Sequence, residues 1–218
     1  MSDTDSLQRM LKQSPTLVAS IVAFNWEPAS YLHPSQRQQW LPEIPVSAWD
    51  QPRLTARLSK LLLARLDLTE KVFTEAPNDL WPLALLPAVR LQRLALHISA
   101  LMLGLRIRTS LSREHVLAWK KKLGDEAYRF AINSASLLPA GKVPLVDTKT
   151  AEVDELGASL IMAALARTPE AFHRRIALKF PKKIAALDMD PDKAVQLMIM
   201  TARIVEAEWF SSFAAQKK

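Results

Sequence analysis

Apolar residues recur along this chain at spacings of three and four, the period of an amphipathic helix. Leu17, Ile21 and Phe24 share one face of a helix that Ser14 caps and Pro15 opens. Pro34 opens a short helix that runs through Trp40 and stops at Pro42, and residues 41–52 read as a loop. Pro52 starts the next helix, with Leu54, Leu58, Leu61 and Leu62 as its apolar stripe and Arg53, Arg57 and Lys60 opposite. Residues 67–80 are mostly polar and contain Pro77, as a connection does. The strongest pattern runs from about Pro87 to Leu105: Leu91, Leu94, Ile98, Leu101 and Leu105 share one face, Arg90, Arg93 and His97 another. This predicts the central helix.

Ser110 or Ser112 caps a helix bearing Val116 and Trp119, which ends at Lys120-Lys121-Lys122-Leu123-Gly124. Asp125 caps the next, with Tyr128 and Phe130, and "PAGKVPLVD" from Pro139 to Asp147 is the clearest long loop. Later helices carry Val153, Leu156, Leu160 and Ala164, then start at Thr168-Pro169-Glu170. Asp190-Pro191 caps a last helix striped by Val195, Met198, Ala202, Val205 and Trp209. Only "RIALKF", Arg175 to Phe180, alternates as an extended segment would. The expectation is an all-α fold: one compact domain over residues 1–218 with about eight helices. Residues 1–33 form an N-terminal aromatic arm and first helix packing on it.

Composition narrows the classes. The chain has 218 residues, 49 % of them hydrophobic and 23 % charged, enough for a core of ordinary size. Four glycines against fourteen prolines disfavour hairpin-rich β folds and phosphate-cradling loops. The lack of cysteine removes disulfides, thiolate metal sites and Cys nucleophiles, and suits a reducing compartment. The polar, acidic start MSDTDSLQRM does not read as a signal peptide, and the apolar region from Leu80 to Leu105 is interrupted by prolines, arginines and His97. A cytoplasmic protein is expected. Net charge is +7, which favours an acidic partner: nucleic acid, an anionic membrane surface or an acidic protein.

Catalytic and metal motifs are not legible. The histidines are His33, His97, His115 and His173, and no zincin, nucleophile-elbow, P-loop or dinucleotide fingerprint occurs. Glu170 and His173 are spaced as in di-iron bundles, which need two such pairs plus further carboxylates. His97 reads as a histidine hydrogen-bonded at the core edge; as a catalytic base, with Arg90 and Arg93 on its face, it would need an acid the sequence does not point to. No catalytic, metal or cofactor-binding residue is assigned.

Two basic clusters say more. Residues 106–122 hold Arg106, Arg108, Arg113, Lys120, Lys121 and Lys122 against Glu114 alone; residues 171–183 hold Arg174, Arg175, Lys179, Lys182 and Lys183 with no acid. The first reads as lysines in a last helical turn, favoured by the helix dipole before Gly124, and the second as a solvated face; alternatively each is a patch that steers an acidic partner. A helical nucleic-acid-binding regulator stays open as the alternative, since "REHVLAWKKKLGDEAYRFAIN" can be arranged as a helix-turn-helix.

The stretch "FNWEPASYLH", Phe24 to His33, sets four rings among two prolines' reach of rigid backbone. Its rings plug into the core or anchor a partner, and both can hold, with Leu32 inward and Trp26 or Tyr31 partly outward. This stretch resembles the N-terminal signature of the YscK/PscK/SctK family, the K-type sorting-platform proteins of bacterial type III secretion systems. The Pro-Ala-x-Tyr-Leu-His block falls on Pro28, Ala29, Ser30, Tyr31, Leu32 and His33. "ALLPAVRLQRLALHISALMLGLRIR" is similar to the family's central leucine-rich helix, and "AFHRRIALKFP" to a late block matched by Phe172, Arg174, Arg175, Ile176, Leu178 and Pro181. The resemblance implies a non-enzymatic adaptor at the cytoplasmic face of the inner membrane. It would link a ring protein's forkhead-associated-like cytoplasmic domain to the pod protein of the sorting platform, without cofactor, small-molecule substrate or nucleic acid. Expected partner-binding residues are Trp26, Tyr31, His33, Arg106, Arg108, Lys120, Lys121, Arg174, Arg175, Lys179 and Lys182. Charge reversal at Arg174 and Arg175 is expected to weaken one interaction without unfolding the domain.

Overall fold

The computed structural model describes residues 15–73, 80–134 and 153–214. Among them all regular structure is helical, as expected. The α-helices are α1 (Pro15–Trp26), α2 (Pro28–Tyr31), α3 (Pro34–Trp40), α4 (Val46–Trp49), α5 (Thr55–Arg65), α6 (Trp81–Ala84), α7 (Ala88–Met102), α8 (Gly104–Thr109), α9 (Arg113–Asn133), α10 (Val153–Ala164), α11 (Glu170–Ala177), α12 (Pro191–Val205) and α13 (Ala207–Ala214), with a 3-10 turn over Pro52–Leu54. They outnumber the eight read from periodicity because four-residue helices carry no period. Pro28, Pro34 and Pro52 each sit at a helix start, where a missing N–H costs nothing. Ser14 and the loop 139–147 lie outside the described residues.

The chain divides into two compact units, residues 1–91 with 168–182 and residues 92–167 with 183–218. In the first, Tyr31, Leu32, Leu41, Leu58, Leu62, Leu63, Leu66, Leu68 and Leu178 form one apolar cluster. The buried face of α5 is Leu58, Ser59, Leu62 and Leu63; Leu61, expected in the stripe, points to solvent. A second cluster is aromatic. Phe24 meets Phe73, Trp81 and Phe172 edge-on, with ring centroids 5.6–6.4 Å apart. "RIALKF" is not extended: Arg175 to Ala177 finish α11, and a turn follows. Residues Phe172, Arg175, Ile176 and Lys179 lie at i, i+3, i+4 and i+7, and helical burial of that face takes precedence over the short alternation.

In the second unit α10 packs along α12. Gly157 on α10 lies so close to α7 that a Cβ there would stand 1.8 Å from the Ala95 carbonyl oxygen. The Gly157 N–H donates to Ser99 Oγ at 2.8 Å, closing that approach. The helix Arg113–Asn133 breaks at Gly124, whose φ of 75° and ψ of 162° no helix contains. The stop read there is therefore present, as are the caps by Ser112 and Asp190. The last helix ends earlier than its stripe: α12 closes at Val205, and Trp209 belongs to α13. Leu105, expected on the buried face of the central helix, is exposed beyond its end.

Candidate functional site

The two basic clusters occupy different environments. In the first unit Arg175 is 0 % exposed and Lys179 3 % exposed. Arg175 donates from Nη1 to the carbonyls of Phe24 (3.2 Å) and Asn25 (2.8 Å), and from Nη2 to those of Leu68 and Lys71 (both 3.0 Å). One guanidinium thus ties the end of α1 to the segment after α5. Lys179 Nζ donates to the carbonyls of Ala84 and Leu86 at 2.6 Å, and lies over the rings of Phe24 (5.6 Å) and Tyr31 (5.2 Å). Burial pushes its ammonium down to about 7. Burial also lowers the Arg175 pKa, and raises that of Tyr31 above the ordinary phenol range.

Tyr31 is buried, its hydroxyl donating to the Phe24 carbonyl at 2.9 Å. His33 is half-buried and caps α3, its Nδ1 accepting from the Ser35 N–H at 3.2 Å. Burial lowers its pKa, with the Arg37 charge adding to the effect. The His33 N–H donates to the Leu178 carbonyl at 2.8 Å, and Gln36 Nε2 donates to the Ala177 and Phe180 carbonyls. The two sequence blocks 24–33 and 171–181 therefore interlock. Tyr31, Arg175 and Lys179 are held inside the unit and present no surface to a partner. Charge reversal at Arg175 would strand a carboxylate among four carbonyls, so the expectation that it spares the fold does not hold. Arg174 is exposed and donates to the Leu66 carbonyl at 3.1 Å and to Glu170. Lys182 is exposed, with its N–H on Ser35 Oγ, and Trp26 is 46 % exposed at the end of α1.

The second unit's cluster faces solvent. Arg106 and Lys121 are exposed, and the Arg106 guanidinium lies 5.6 Å from the Trp119 ring. Trp119 Nε1 donates to Ser110 Oγ at 3.2 Å, bracing the turn between α8 and α9. Lys120 pairs with Asp125 at 3.4 Å and lies over Tyr128. Arg108 is half-buried, donating to the Ala131 carbonyl at 3.0 Å. Sequence reasoning missed the exposed leucines on this hairpin: Leu105 (59 %), Leu111 (90 %) and Leu117 (55 %). Of the three, Leu117 alone stands apart in sequence, since it falls off the Val116–Trp119–Leu123 face.

The acid that His97 lacked in sequence is supplied by α9. Arg93 donates to Glu126 through Nε at 3.1 Å and through Nη2, and to the buried Glu206 at 3.1 Å. His97 Nδ1 donates to the Arg93 carbonyl at 2.8 Å, its Nε2 lies 3.7 Å from Glu126, and its ring meets Phe130 edge-on. Burial lowers the imidazole pKa, against the Arg93 carbonyl and the Glu126 charge. The hydrogen bond from Arg93 holds Glu126 below the usual carboxylate range. The Arg93 guanidinium and the His97 imidazole both face the Glu126 carboxylate, and the group braces α7 against α9 and the residue that follows α12. Among the described residues no three His, Asp or Glu side chains cluster as metal ligands, and no helix is long and apolar enough to cross a membrane.

No curated protein and no solved structure matches the chain. The family model for YOP proteins translocation protein K (YscK) matches residues 20–205. That span contains both interlocking blocks, the leucine-rich α7 and the basic hairpin. The chain belongs to the YscK family, a family of type III secretion proteins.

Proposed function

We propose that this chain is a non-enzymatic adaptor of a type III secretion injectisome. It works at the cytoplasmic face of the inner membrane and joins the ring protein's forkhead-associated-like cytoplasmic domain to the pod protein of the sorting platform. The family match over residues 20–205 carries this reading. The cross-braced helices support it, since they suit a rigid part that holds partners rather than one that reacts. Surface cations and apolar side chains support it as well, in the form of Trp26, Arg174 and Lys182 on the first unit and Arg106, Lys120 and Lys121 on the second. Rim cations of this kind set encounter rate and salt dependence more than affinity, while the apolar anchors hold the complex.

The test is purification of the tagged full chain from cytosol and from solubilised membrane of a cell assembling the apparatus. Joint recovery of the ring protein and the pod protein is the expected result. Recovery of neither, or of nucleic acid alone, contradicts the reading.

A further inference from the structure

The hairpin of α8 and the first half of α9 combines two features that surface helices usually keep apart. It carries three exposed leucines and a nearly unbroken set of cations. Leu111 stands between the cap residues Ser110 and Ser112 and is 90 % exposed, so the fold itself draws nothing from its side chain. Leu117 lies on α9 with Arg113 one turn before it and Lys120 and Lys121 one turn after, at i−4, i+3 and i+4. Lys122 is exposed beside them, and Glu114 is the one acid in residues 104–123. The turn is braced from within by the Arg106–Trp119–Ser110 contacts. These leucines bring no internal packing and stand among cations, so the hairpin offers a partner both apolar and basic groups.

We propose that this hairpin is a docking surface for an acidic amphipathic helical segment of a protein partner, with Leu111 and Leu117 as anchors and Arg113, Lys121 and Lys122 as the cations that receive its carboxylates. The inference rests on the adaptor reading and names the chemistry of one of its contacts. Charge complementarity fixes the sign of the occupant. An anionic membrane shares that sign but fits less well. Interfacial insertion needs a continuous apolar face on the helix, whereas the half of α9 before Gly124 exposes Leu117 among charges as its one large apolar side chain, and the indole of Trp119 is turned onto Arg106. A helical protein segment can match separated leucines with separated side chains of its own, at spacings of three and four.

The test uses three tagged full-length chains in a cell assembling the apparatus: unchanged, Leu111→Ser with Leu117→Ser, and Lys121→Glu with Lys122→Glu. All three are expected to melt together, since the altered side chains are exposed. Each variant pair should lower recovery of one apparatus protein about tenfold, the usual loss for an anchor or a steering patch. A fourth chain, Leu117→benzoylphenylalanine, should photo-cross-link to that same protein in a segment of net negative charge with apolar residues at helical spacing. Undiminished recovery in both variants, while the unchanged chain keeps its partners, overturns this inference and leaves the adaptor reading standing. A cross-link to a basic or neutral segment overturns it too. So does variant-sensitive sedimentation with phosphatidylglycerol vesicles without any protein cross-link, which would assign the hairpin to a membrane. Recovery of no apparatus protein by the unchanged chain removes the adaptor reading and this inference with it.

Discussion

The cations of residues 171–183 and those of residues 106–122 look alike in sequence and behave differently in the fold. Arg175 and Lys179 point into the first unit, where six backbone carbonyls and two aromatic rings receive them. Lys121 and Lys122 stand on the second unit's hairpin in water. The difference is set by phase. Arg175 and Lys179 share a helical face with Phe172 and Ile176, so burying the rings buries the charges. Lys121 lies on the face opposite Leu123 and follows no core residue inward. A basic run is therefore no single kind of feature; its register against the nearest apolar stripe decides whether it is cement or contact surface.

The sharpest way to break this comparison is Arg175→Ala. Removing a buried guanidinium leaves four carbonyls without their donor and should cost about 3–5 kcal/mol in urea unfolding. A loss below about 1 kcal/mol, the size of a surface effect, would place Arg175 with the exposed cations. The second unit's vulnerable point is instead a glycine: Gly157→Ala puts a methyl into the Ala95 carbonyl, and should cost about 3 kcal/mol because backbone has to move.

Lys179 offers a test through pH. Its ammonium is pushed down to about 7 in the folded chain, against an ordinary value near 10.5. Between those values the unfolded chain holds a proton that the folded chain sheds, so stability rises with pH across that window and the gain disappears as pH falls to 7. The slope from this one group is at most about 1.4 kcal/mol per pH unit, and Lys179→Met should flatten it. An unchanged slope in the variant would mean the lysine is solvated. Next in size, Asp190→Ala removes a side chain that accepts from the N–H groups of Asp192 and Lys193, and should cost about 1 kcal/mol. Smallest of all, Lys121→Glu with Lys122→Glu should shift unfolding by about 0.5 kcal/mol or less while acting on partner recovery.

Much of the fold was legible because helical periodicity reports burial directly. The stripes of α1 and α7, the caps at Ser112 and Asp190 and the break at Gly124 all follow from local chemistry. Long-range pairing was not legible. Nothing near Arg93 in sequence announces Glu126 and Glu206, and nothing near Arg175 announces the carbonyls of Phe24, Asn25, Leu68 and Lys71. The four rings of the 24–33 block were recognised, but their division was set by tertiary context: Phe24 and Tyr31 inward, His33 at a cap, Trp26 outward. The exposed leucines of the hairpin are not legible in sequence: Leu105 continues the stripe of α7 past the helix end, and a leucine off a stripe carries no pattern of its own.

Amine-reactive labelling of the full chain, alone and within the isolated secretion complex, tests the contrast between the two clusters most directly. The account predicts that Lys179 stays unlabelled in both states, while Lys121 and Lys122 react in the chain alone and are protected in the complex. Rapid labelling of Lys179 in the folded chain, or equal labelling of Lys121 and Lys122 in both states, would contradict it.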